Sequence, residues 1–360
     1  MQKIYGYINN NHTFTMSFLQ SMKLFFKTNK RRTIKHQPKN FQKMNCHPGI
    51  KNTVKQDSCF TPEILMTILE KYNEKNPTNK IAKTTPKEIW QELKTRLQCA
   101  KEECWLNQLD DSTMREQIKT HIFAPKHPPE WKNNPDEWLS NYDIFEVAKQ
   151  YESTYPEFKI IGPTTIDFDT KRQDQNGKCV LEDLCNFSLE SFIKAKKTKI
   201  GIVFNLDRHY ESGSHWVSMF IDIKNRFIFY FDSADNAIPP EIWQKTQRVP
   251  TAPSPSPSHS PSPSHSPSHS PSPLVNRIIA QGKQMKKPIH FKFYNNRGVR
   301  HQNGNTECGM YSLFFIITML TGKSPFSKKP LSMNQRRDLF LKTKIPDNIV
   351  FEYRRIYFND

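Results

Sequence analysis

The sequence lacks the features of a membrane protein and of a secreted scaffold held by disulfides. Its 360 residues contain no apolar run of about 18 or more, so we expect no membrane-spanning helix. The N-terminal stretch has neither a clean apolar signal core nor a small-residue cleavage site. The seven cysteines are odd in number, scattered and without a Cys-x-x-Cys. This favours free thiols in a reducing compartment and a protein that is used without secretion.

Metal-binding motifs are also missing. Cys99 and Cys104 are poorly spaced for zinc, as are Cys179 and Cys185, and no His pair completes either set. We therefore expect these four side chains to be buried, small apolar groups. The sequence predicts no metal site and no organic cofactor.

Acidic residues are absent from the first 56 positions, which hold eleven Lys and Arg and supply +11 of the net charge of +18. Such a block is typical of a solvated arm without a packed core. The functional alternative is electrostatic attachment to nucleic acid or to another acidic surface, without base readout. We predict a basic arm over residues 1–57, and both alternatives stay open.

Two amphipathic segments predict a small helical N-terminal region over residues 58–125. They are residues 60–72 and 85–98. Each opens on Thr-Pro, a good cap followed by proline at the first helical position. Apolar residues then recur on one face of each segment, so we expect both faces to pack into a core.

From residue 126 to 360 the pattern changes to that of a mixed α+β domain. A helix is predicted near 140–152, and the apolar stretch 309–322 is too long for an ordinary buried strand, so it predicts a buried helix that ends at Gly322. The β-rich runs bounded by turns are 198–206, 215–223 and 226–233. The predicted fold class is therefore α+β, a mixed sheet flanked by helices, with the small helical N-terminal region in addition.

Residues 253–273 read PSPSPSHSPSPSHSPSHSPSP and cannot build a core. We expect an extended, solvated insertion with polyproline character, over about 250–275. Its histidines could bind metal or titrate near neutral pH, and repeat slippage without a role is the alternative. Because the insertion divides the folded part, we expect its flanks to meet on the surface.

The clearest chemical signal comes from two stretches nearly a hundred residues apart. The first, SHWVSMFIDIKNRFIFYFDS, predicts a hairpin with a tight loop at Lys224-Asn225, which places Val217 opposite Asp232. His215 then lies on the same face, diagonal to Asp232 and close enough for a hydrogen bond between carboxylate and imidazole. A loop of odd length would flip this register and send Asp232 to the other face.

The second stretch, HQNGNTECGMYSLFF, puts Cys308 at the start of the predicted helix 308–320. Unpaired N–H groups and the helix dipole favour a thiolate there, and a neighbouring imidazolium favours it further. Gly309 allows backbone or substrate to approach closely. The side-chain amide of Gln302 and the backbone N–H of Cys308 could together hold the oxyanion of a tetrahedral intermediate.

In this order and in these local contexts, His215, Asp232, Gln302 and Cys308 resemble the catalytic set of the Ulp1/adenain-type cysteine proteases. In that family a His-Trp opens one strand, an Asp-Ser closes the next, and a Gln precedes a Cys-Gly on a helix. The resemblance covers roughly residues 130–320 and implies a papain-like/Ulp1-like core that cleaves peptides through a thioester on Cys308, without a cofactor. It implies that His215 is the base, that Asp232 orients it and that Gln302 forms the oxyanion hole.

Two tryptophans extend the resemblance. Trp216 matches the aromatic residue beside the catalytic histidine of the family. The segment DEWLSNYDI resembles the family's Trp-Leu-Asn-Asp segment, which lines a narrow substrate groove, so Trp138 is expected to help clamp small substrate residues. The run Ser140-Asn141-Tyr142 departs from the usual Asn-Asp, and core packing is the alternative for Trp138.

The upstream part, from CFTPEILMTILEKYN to EECWL, is similar to the N-terminal region of thiol proteases of large DNA viruses, of the mimivirus and African swine fever virus type. That resemblance implies processing of viral structural polyproteins, commonly after Gly-Gly, in the virion and in the host cytoplasm during assembly. Two other functions are open. One is an isopeptidase that acts on a SUMO- or ubiquitin-like modifier with the same residues. The other is a non-enzymatic, nucleic-acid-associated virion protein that works through the basic arm.

Overall fold

The structure is a computed structural model that describes residues 41–245 and 272–360. Most of the predicted basic arm and most of the Pro/Ser/His insertion lie outside these residues. The described chain forms a helical N-terminal region followed by a mixed sheet with helices on both faces. The predicted α+β class is confirmed. None of the helices in the two described ranges is both long and apolar enough to cross a membrane.

Three α-helices and a 3₁₀ helix build the N-terminal region. They are α1 Pro62–Lys75, α2 Pro86–Leu97, the 3₁₀ helix Glu102–Gln108 and α3 Ser112–Ile122. α1 and α2 follow Thr61 and Thr85, and the Thr85 side chain accepts a hydrogen bond from the backbone N–H of Glu88. The apolar faces of the helices pack around Trp90 and Trp105 in a core of their own.

Part of the segment assigned to the basic arm is packed. In residues 41–57, Met44 is only 4% exposed and joins the core of the helical region. The backbone N–H of His47 donates to the carbonyl of Ile122 at 2.9 Å. The arm prediction is therefore wrong for 41–57, because a few apolar anchors outweigh the lysine-rich composition there. Residues 1–40 lie outside the described chain.

Six cysteines are paired, so the prediction of free thiols is wrong for them. The disulfides are Cys46–Cys59, Cys99–Cys104 and Cys179–Cys185, with Cα–Cα separations of 5.2, 6.2 and 6.2 Å. Those separations lie in the usual range for a disulfide. The spacing along the chain could not reveal them, because each pair depends on how the folded backbone brings two Cα atoms together. Cys308 is the free cysteine.

A five-stranded mixed sheet forms the centre of the second region. The strands in residues 41–245 and 272–360 are β1 Phe158–Thr165, β2 Lys171–Arg172, β3 Lys178–Cys179, β4 Lys199–Asn205, β5 Trp216–Asp222, β6 Phe227–Phe231 and β7 Lys292–Asn295. The sheet has the order β1-β4-β5-β6-β7, and β2 and β3 form a separate ribbon. β1 and β7 pair parallel with β4 and β6, whereas β4–β5 and β5–β6 are antiparallel. The three predicted β-rich runs correspond to β4, β5 and β6.

Helices cover both faces of the sheet because both faces are apolar. The remaining α-helices of the described residues are α4 Asn141–Thr154, α5 Glu182–Cys185, α6 Leu189–Lys194, α7 Leu274–Gln284, α8 Cys308–Thr321, α9 Met333–Lys342, α10 Asp347–Glu352 and α11 Arg354–Tyr357. Phe229 and Phe231 pack with α4 and α8 on one face, while Ile228 and Tyr230 pack with α7 on the other. α8 is buried along its length and ends at Gly322 in the left-handed conformation, as predicted.

The flanks of the Pro/Ser/His insertion meet, as predicted. The backbone N–H of Leu274 donates to the carbonyl of Glu241, and that of Val275 donates to Ile242, both at 2.9 Å. Leu274 and Val275 are buried in α7. The folded chain therefore resumes before residue 275, the boundary predicted from the composition.

Candidate active site

The β5–β6 hairpin has the register predicted from its sequence. Asp222 pairs with Phe227, and the same register continued to the strand ends sets Val217 opposite Asp232. His215, which precedes β5, therefore reaches Asp232 diagonally. Its Nε2 donates to Oδ1 of Asp232 at 2.6 Å.

Asp232 is held by backbone and side-chain hydrogen bonds besides the one from His215. Its Oδ1 accepts from the backbone N–H of Ala234 at 2.8 Å, and its Oδ2 accepts from that of Asn236 at 2.9 Å. The buried Asn296 side chain, next to the end of β7, accepts from the Asp232 N–H at 2.9 Å and donates to its carbonyl at 2.7 Å. These contacts fix the carboxylate so that it can orient the imidazole.

The electrostatics of the pair favour the charged forms of both groups. Burial alone lowers the pKa of His215, but hydrogen bonds and negative charge from Asp232 and Cys308 raise it to about 9. Burial likewise raises the pKa of Asp232, yet His215 and the two backbone donors bring it below its ordinary value. His215 is therefore mainly an imidazolium at neutral pH.

Cys308 is the first residue of α8 and the second partner of the His215 ring. Because Nε2 of His215 donates to Asp232, Nδ1 is the ring nitrogen left for the thiol. The helix start adds unpaired N–H groups and a favourable dipole for a thiolate. Cys308 is only 1% exposed, so access to the sulfur is narrow.

Gly309 allows neighbouring side chains to approach closely. A Cβ on this residue would lie 3.1 Å from Cβ of Leu139 and 3.3 Å from Cδ1 of Trp216. Trp216 in turn donates from Nε1 to the carbonyl of Leu139 at 3.0 Å. The start of α8 is thus enclosed by the strand that follows His215 and by the segment that precedes α4.

Gln302 lies in the loop before α8 and is buried. Its Oε1 accepts from the Ser233 hydroxyl at 2.7 Å, and its backbone N–H donates to the Ser233 carbonyl at 2.9 Å. Its Nε2 donates to the carbonyl of Gly304 at 3.0 Å. An amide nitrogen carries two hydrogens, so one N–H of Gln302 is left for another acceptor.

The two tryptophans predicted from the resemblance differ in their surroundings. Trp216 is buried in the sheet core beside the start of α8. Trp138 is half-buried and directly precedes the buried Leu139. Ser140, in the run that departs from the family pattern, caps α4 in a reciprocal capping box with Asp143. The groove assignment of Trp138 stays a prediction.

Several residues around the site escaped the sequence reasoning. Their side chains hold the proposed catalytic residues or their loops, and they are Ser233, Asn296, Glu307, Asp347 and Arg354. Only Ser233 carried a signal, as part of the Asp-Ser that closes β6. The others are ordinary polar residues in loops and short helices, and only the fold brings them to the site.

A cavity of about 800 Å³ lies elsewhere, between α3 and α4. It is lined by His47, His121 and Phe145 among others, and none of the four residues predicted to act in catalysis lines it. Burial and the neighbouring His121 lower the pKa of His47 to about 4. The approach to Cys308 is therefore separate from this cavity.

Comparisons with known proteins bear on the class of this one. No family model matches the chain. It is similar to a protein of Acanthamoeba polyphaga mimivirus named as a thiol protease, with 27% identity over 290 residues that cover 75% of this chain and 82% of the relative. It is also similar to a protein of African swine fever virus named as a SUMO-1 cysteine protease, with 25% identity over 317 residues that cover 80% of this chain and 97% of the relative.

A solved structure supports the same grouping at the level of fold. The crystal structure of a protease of African swine fever virus matches with a TM-score of 0.52 at 20% identity, covering 89% of this chain and 97% of that one. Fold and relatives together confirm the class predicted from the sequence. This chain is a cysteine protease with the fold of the African swine fever virus enzyme.

Proposed function

We propose that this chain is a cysteine endopeptidase in which Cys308 is the nucleophile, His215 the general base and acid, and Asp232 the residue that orients His215. The observation that carries the proposal is the 2.6 Å hydrogen bond between His215 and Asp232 beside the free Cys308. Nucleophile, base and orienting group are the three parts that thiol catalysis requires.

The reaction follows from these positions. His215 already holds the proton that it has taken from Cys308, and the Cys308 thiolate of this ion pair attacks the peptide carbonyl to form a C–S bond. The free N–H of Gln302 and the backbone N–H of Cys308 hold the oxyanion. The intermediate collapses with cleavage of the C–N bond, and the amine leaves with a proton from His215. Water, deprotonated by His215, then attacks the thioester and releases the acid and the thiolate.

We propose further that the substrate carries small residues before the cleaved bond, commonly Gly-Gly. The supporting observations are the 1% exposure of Cys308 and the enclosure of Gly309 by Leu139 and Trp216. A wide side chain next to the scissile carbonyl would meet these walls, whereas glycine would not. In this proposal Trp138 and Trp216 border the substrate groove.

The viral origin of both sequence relatives supports a structural polyprotein of a virus as the substrate. The enzyme would then act in the virion and in the host cytoplasm during assembly. The basic N-terminal segment could tether it there to packaged nucleic acid, since eleven Lys and Arg and no acid occupy positions 1–56. A salt-dependent difference in DNA binding between the full chain and residues 41–360, which keep the packed segment with Met44 and Cys46, is expected, and equal binding by both would remove the tether.

The second candidate is an isopeptidase that releases a SUMO- or ubiquitin-like modifier. The observation that favours it is the name of the African swine fever virus relative, a SUMO-1 cysteine protease. The same four residues would perform the chemistry. Turnover of a modifier fused through its Gly-Gly terminus, far above that of short Gly-Gly peptides, would favour the isopeptidase over the polyprotein-processing enzyme.

The test is cleavage-site profiling on a peptide library with matched variants. Cys308→Ala and His215→Gln should abolish cleavage while the circular dichroism spectrum stays unchanged. His209→Gln is the control, because His209 pairs with Asp167 at 2.6 Å in a similar way and has no role in the proposed reaction. Substantial cleavage by Cys308→Ala would refute the assignment, and sites without small residues would refute the specificity.

A further inference from the structure

Arg354, in the short helix α11, has an unusually complete set of partners for a residue near the C-terminus. It is 4% exposed, and its Nε and Nη2 donate to the two carboxylate oxygens of Glu307 at 3.1 and 2.7 Å. Its Nη1 donates to the carbonyls of Pro135 and Glu137 at 3.0 and 2.9 Å. Four bonds from one planar guanidinium fix the relative positions of two distant segments.

The first of these segments is the start of α8. Glu307 directly precedes Cys308, and its carbonyl accepts the helical hydrogen bond from the Tyr311 N–H at 2.8 Å. The Glu307 carboxylate is itself buried. A shift of Glu307 would therefore move the backbone that carries the nucleophile and its N–H.

The second segment borders the proposed substrate groove. Pro135 and Glu137 lie just before Trp138 and Leu139 in the chain. The Leu139 carbonyl accepts from Trp216, and the Leu139 side chain lies against Gly309. Trp131 stacks beneath the Arg354 guanidinium at 4.2 Å from its ring centroid. The guanidinium thus spans the gap between the groove wall and the nucleophile.

We propose that Arg354 is a positioning residue for the cleavage reaction. Through Glu307 and the carbonyls of Pro135 and Glu137, it sets the distance between the Cys308 end of α8 and the groove wall. Arg354 touches neither substrate nor thiol and takes no part in proton transfer. A misplacement of about 1 Å at the reacting atoms can cost on the order of a hundredfold in rate. This inference rests on the proposed function, in which Cys308 is the nucleophile.

A purely stabilising role for the buried ion pair is the alternative, and the chain offers a matched control. Arg336 donates to the carbonyls of Met319 and Leu320 at 2.7 and 3.2 Å, at the opposite end of α8. It also donates to the carbonyl of Leu331 at 2.8 Å. Loss of Arg336 should loosen the same helix without moving its catalytic end.

The experiment compares Arg354→Lys, Arg354→Met and Arg336→Met in the full chain. Stoichiometric alkylation of Cys308 with iodoacetamide counts the intact active sites, and Cys308→Ala serves as the blank. The value of kcat is then expressed per titrated site, and KM is measured alongside it. We expect kcat per site to fall at least about tenfold in Arg354→Met and less in Arg354→Lys, whose amine can still reach Glu307. Arg336→Met should stay within about twofold of the wild type despite a lower melting temperature.

Two results would overturn the inference. One is a kcat per site within about twofold of the wild type in both Arg354 variants. The other is activity that falls only in proportion to the titrated sites, which would make the ion pair a stability element. Failure of the proposed function is a separate result, namely cleavage that persists in Cys308→Ala.

Discussion

Asp232→Asn is the sharpest perturbation of the proposed site, because it removes one charge and keeps the shape of the side chain. In the wild type, burial opposes the charged form of His215, yet Asp232 and Cys308 raise its pKa from 6.5 to about 9. That difference corresponds to about 3 kcal/mol in favour of the imidazolium. Asp232 and Cys308 share this stabilisation of the imidazolium, so loss of Asp232 should remove on the order of half of the free energy. The protonation constant of His215 should then fall about tenfold.

The assay is a pH titration of the imidazole resonances in histidine-labelled protein, with His215 assigned through His215→Gln. We expect the pKa of His215 to fall from about 9 towards 6.5 in Asp232→Asn. Asp167→Asn is the control, because it removes the carboxylate that His209 contacts at 2.6 Å and should leave His215 unchanged. Cleavage by Asp232→Asn should fall, though less than in a variant without the thiol, because the carboxylate orients the base and does not react.

The same pKa predicts how stability depends on pH. Because the pKa of His215 is higher in the folded than in the unfolded protein, protonation of His215 stabilises the fold. The contribution is complete below the unfolded pKa of 6.5 and is lost as the pH rises towards about 9. The free energy of unfolding should therefore decline across that window, and decline less in Asp232→Asn. An unchanged His215 titration in Asp232→Asn would contradict the hairpin geometry on which the site depends.

Two further predictions concern the start of α8. Gly309→Ala should lower the free energy of unfolding in urea by about 1–3 kcal/mol, since the new Cβ would lie 3.3 Å from Cδ1 of Trp216; an unchanged midpoint would contradict this packing. Asp347→Ala removes the carboxylate that accepts from the backbone N–H of Gly304 at 2.9 Å and should loosen the loop of Gln302. Steady-state kinetics should then show kcat reduced by roughly tenfold with a smaller change in KM, and a change confined to KM would argue against an oxyanion role.

The reacting residues could be predicted from the sequence because each combines a reactive side chain with a strong local pattern. β5 and β6 alternate towards two apolar faces, and the even-length loop between Asp222 and Phe227 fixes the register that sets His215 diagonal to Asp232. The polar loop before the long apolar helix marked Cys308 as the first residue of α8. These are local inferences over a hairpin and a helix start, where periodicity is informative.

The supporting residues could not be predicted, because their partners lie far away along the chain. Asn296 reaches back 64 residues to Asp232, and Arg354 reaches back 47 residues to Glu307. Nothing about an Asn after a short strand or an Arg near the C-terminus indicates such a partner. The disulfides could not be predicted for a related reason. The spacings of their cysteines match no known disulfide or metal-binding pattern, and the odd number of cysteines alone favoured free thiols.

The position of the Pro/Ser/His insertion explains how the site tolerates it. β6 and β7 are parallel neighbours, with Tyr230 opposite Asn295, so the chain between them must cross over the sheet. That crossover is already closed by the hydrogen bond from the Leu274 N–H to the carbonyl of Glu241, on either side of the insertion. Adding residues to a loop whose two ends are already hydrogen-bonded to each other costs little, because the entropy of loop closure grows slowly with loop length. The insertion can therefore lengthen or shorten without moving Asn296, the residue after β7 that holds Asp232 in place.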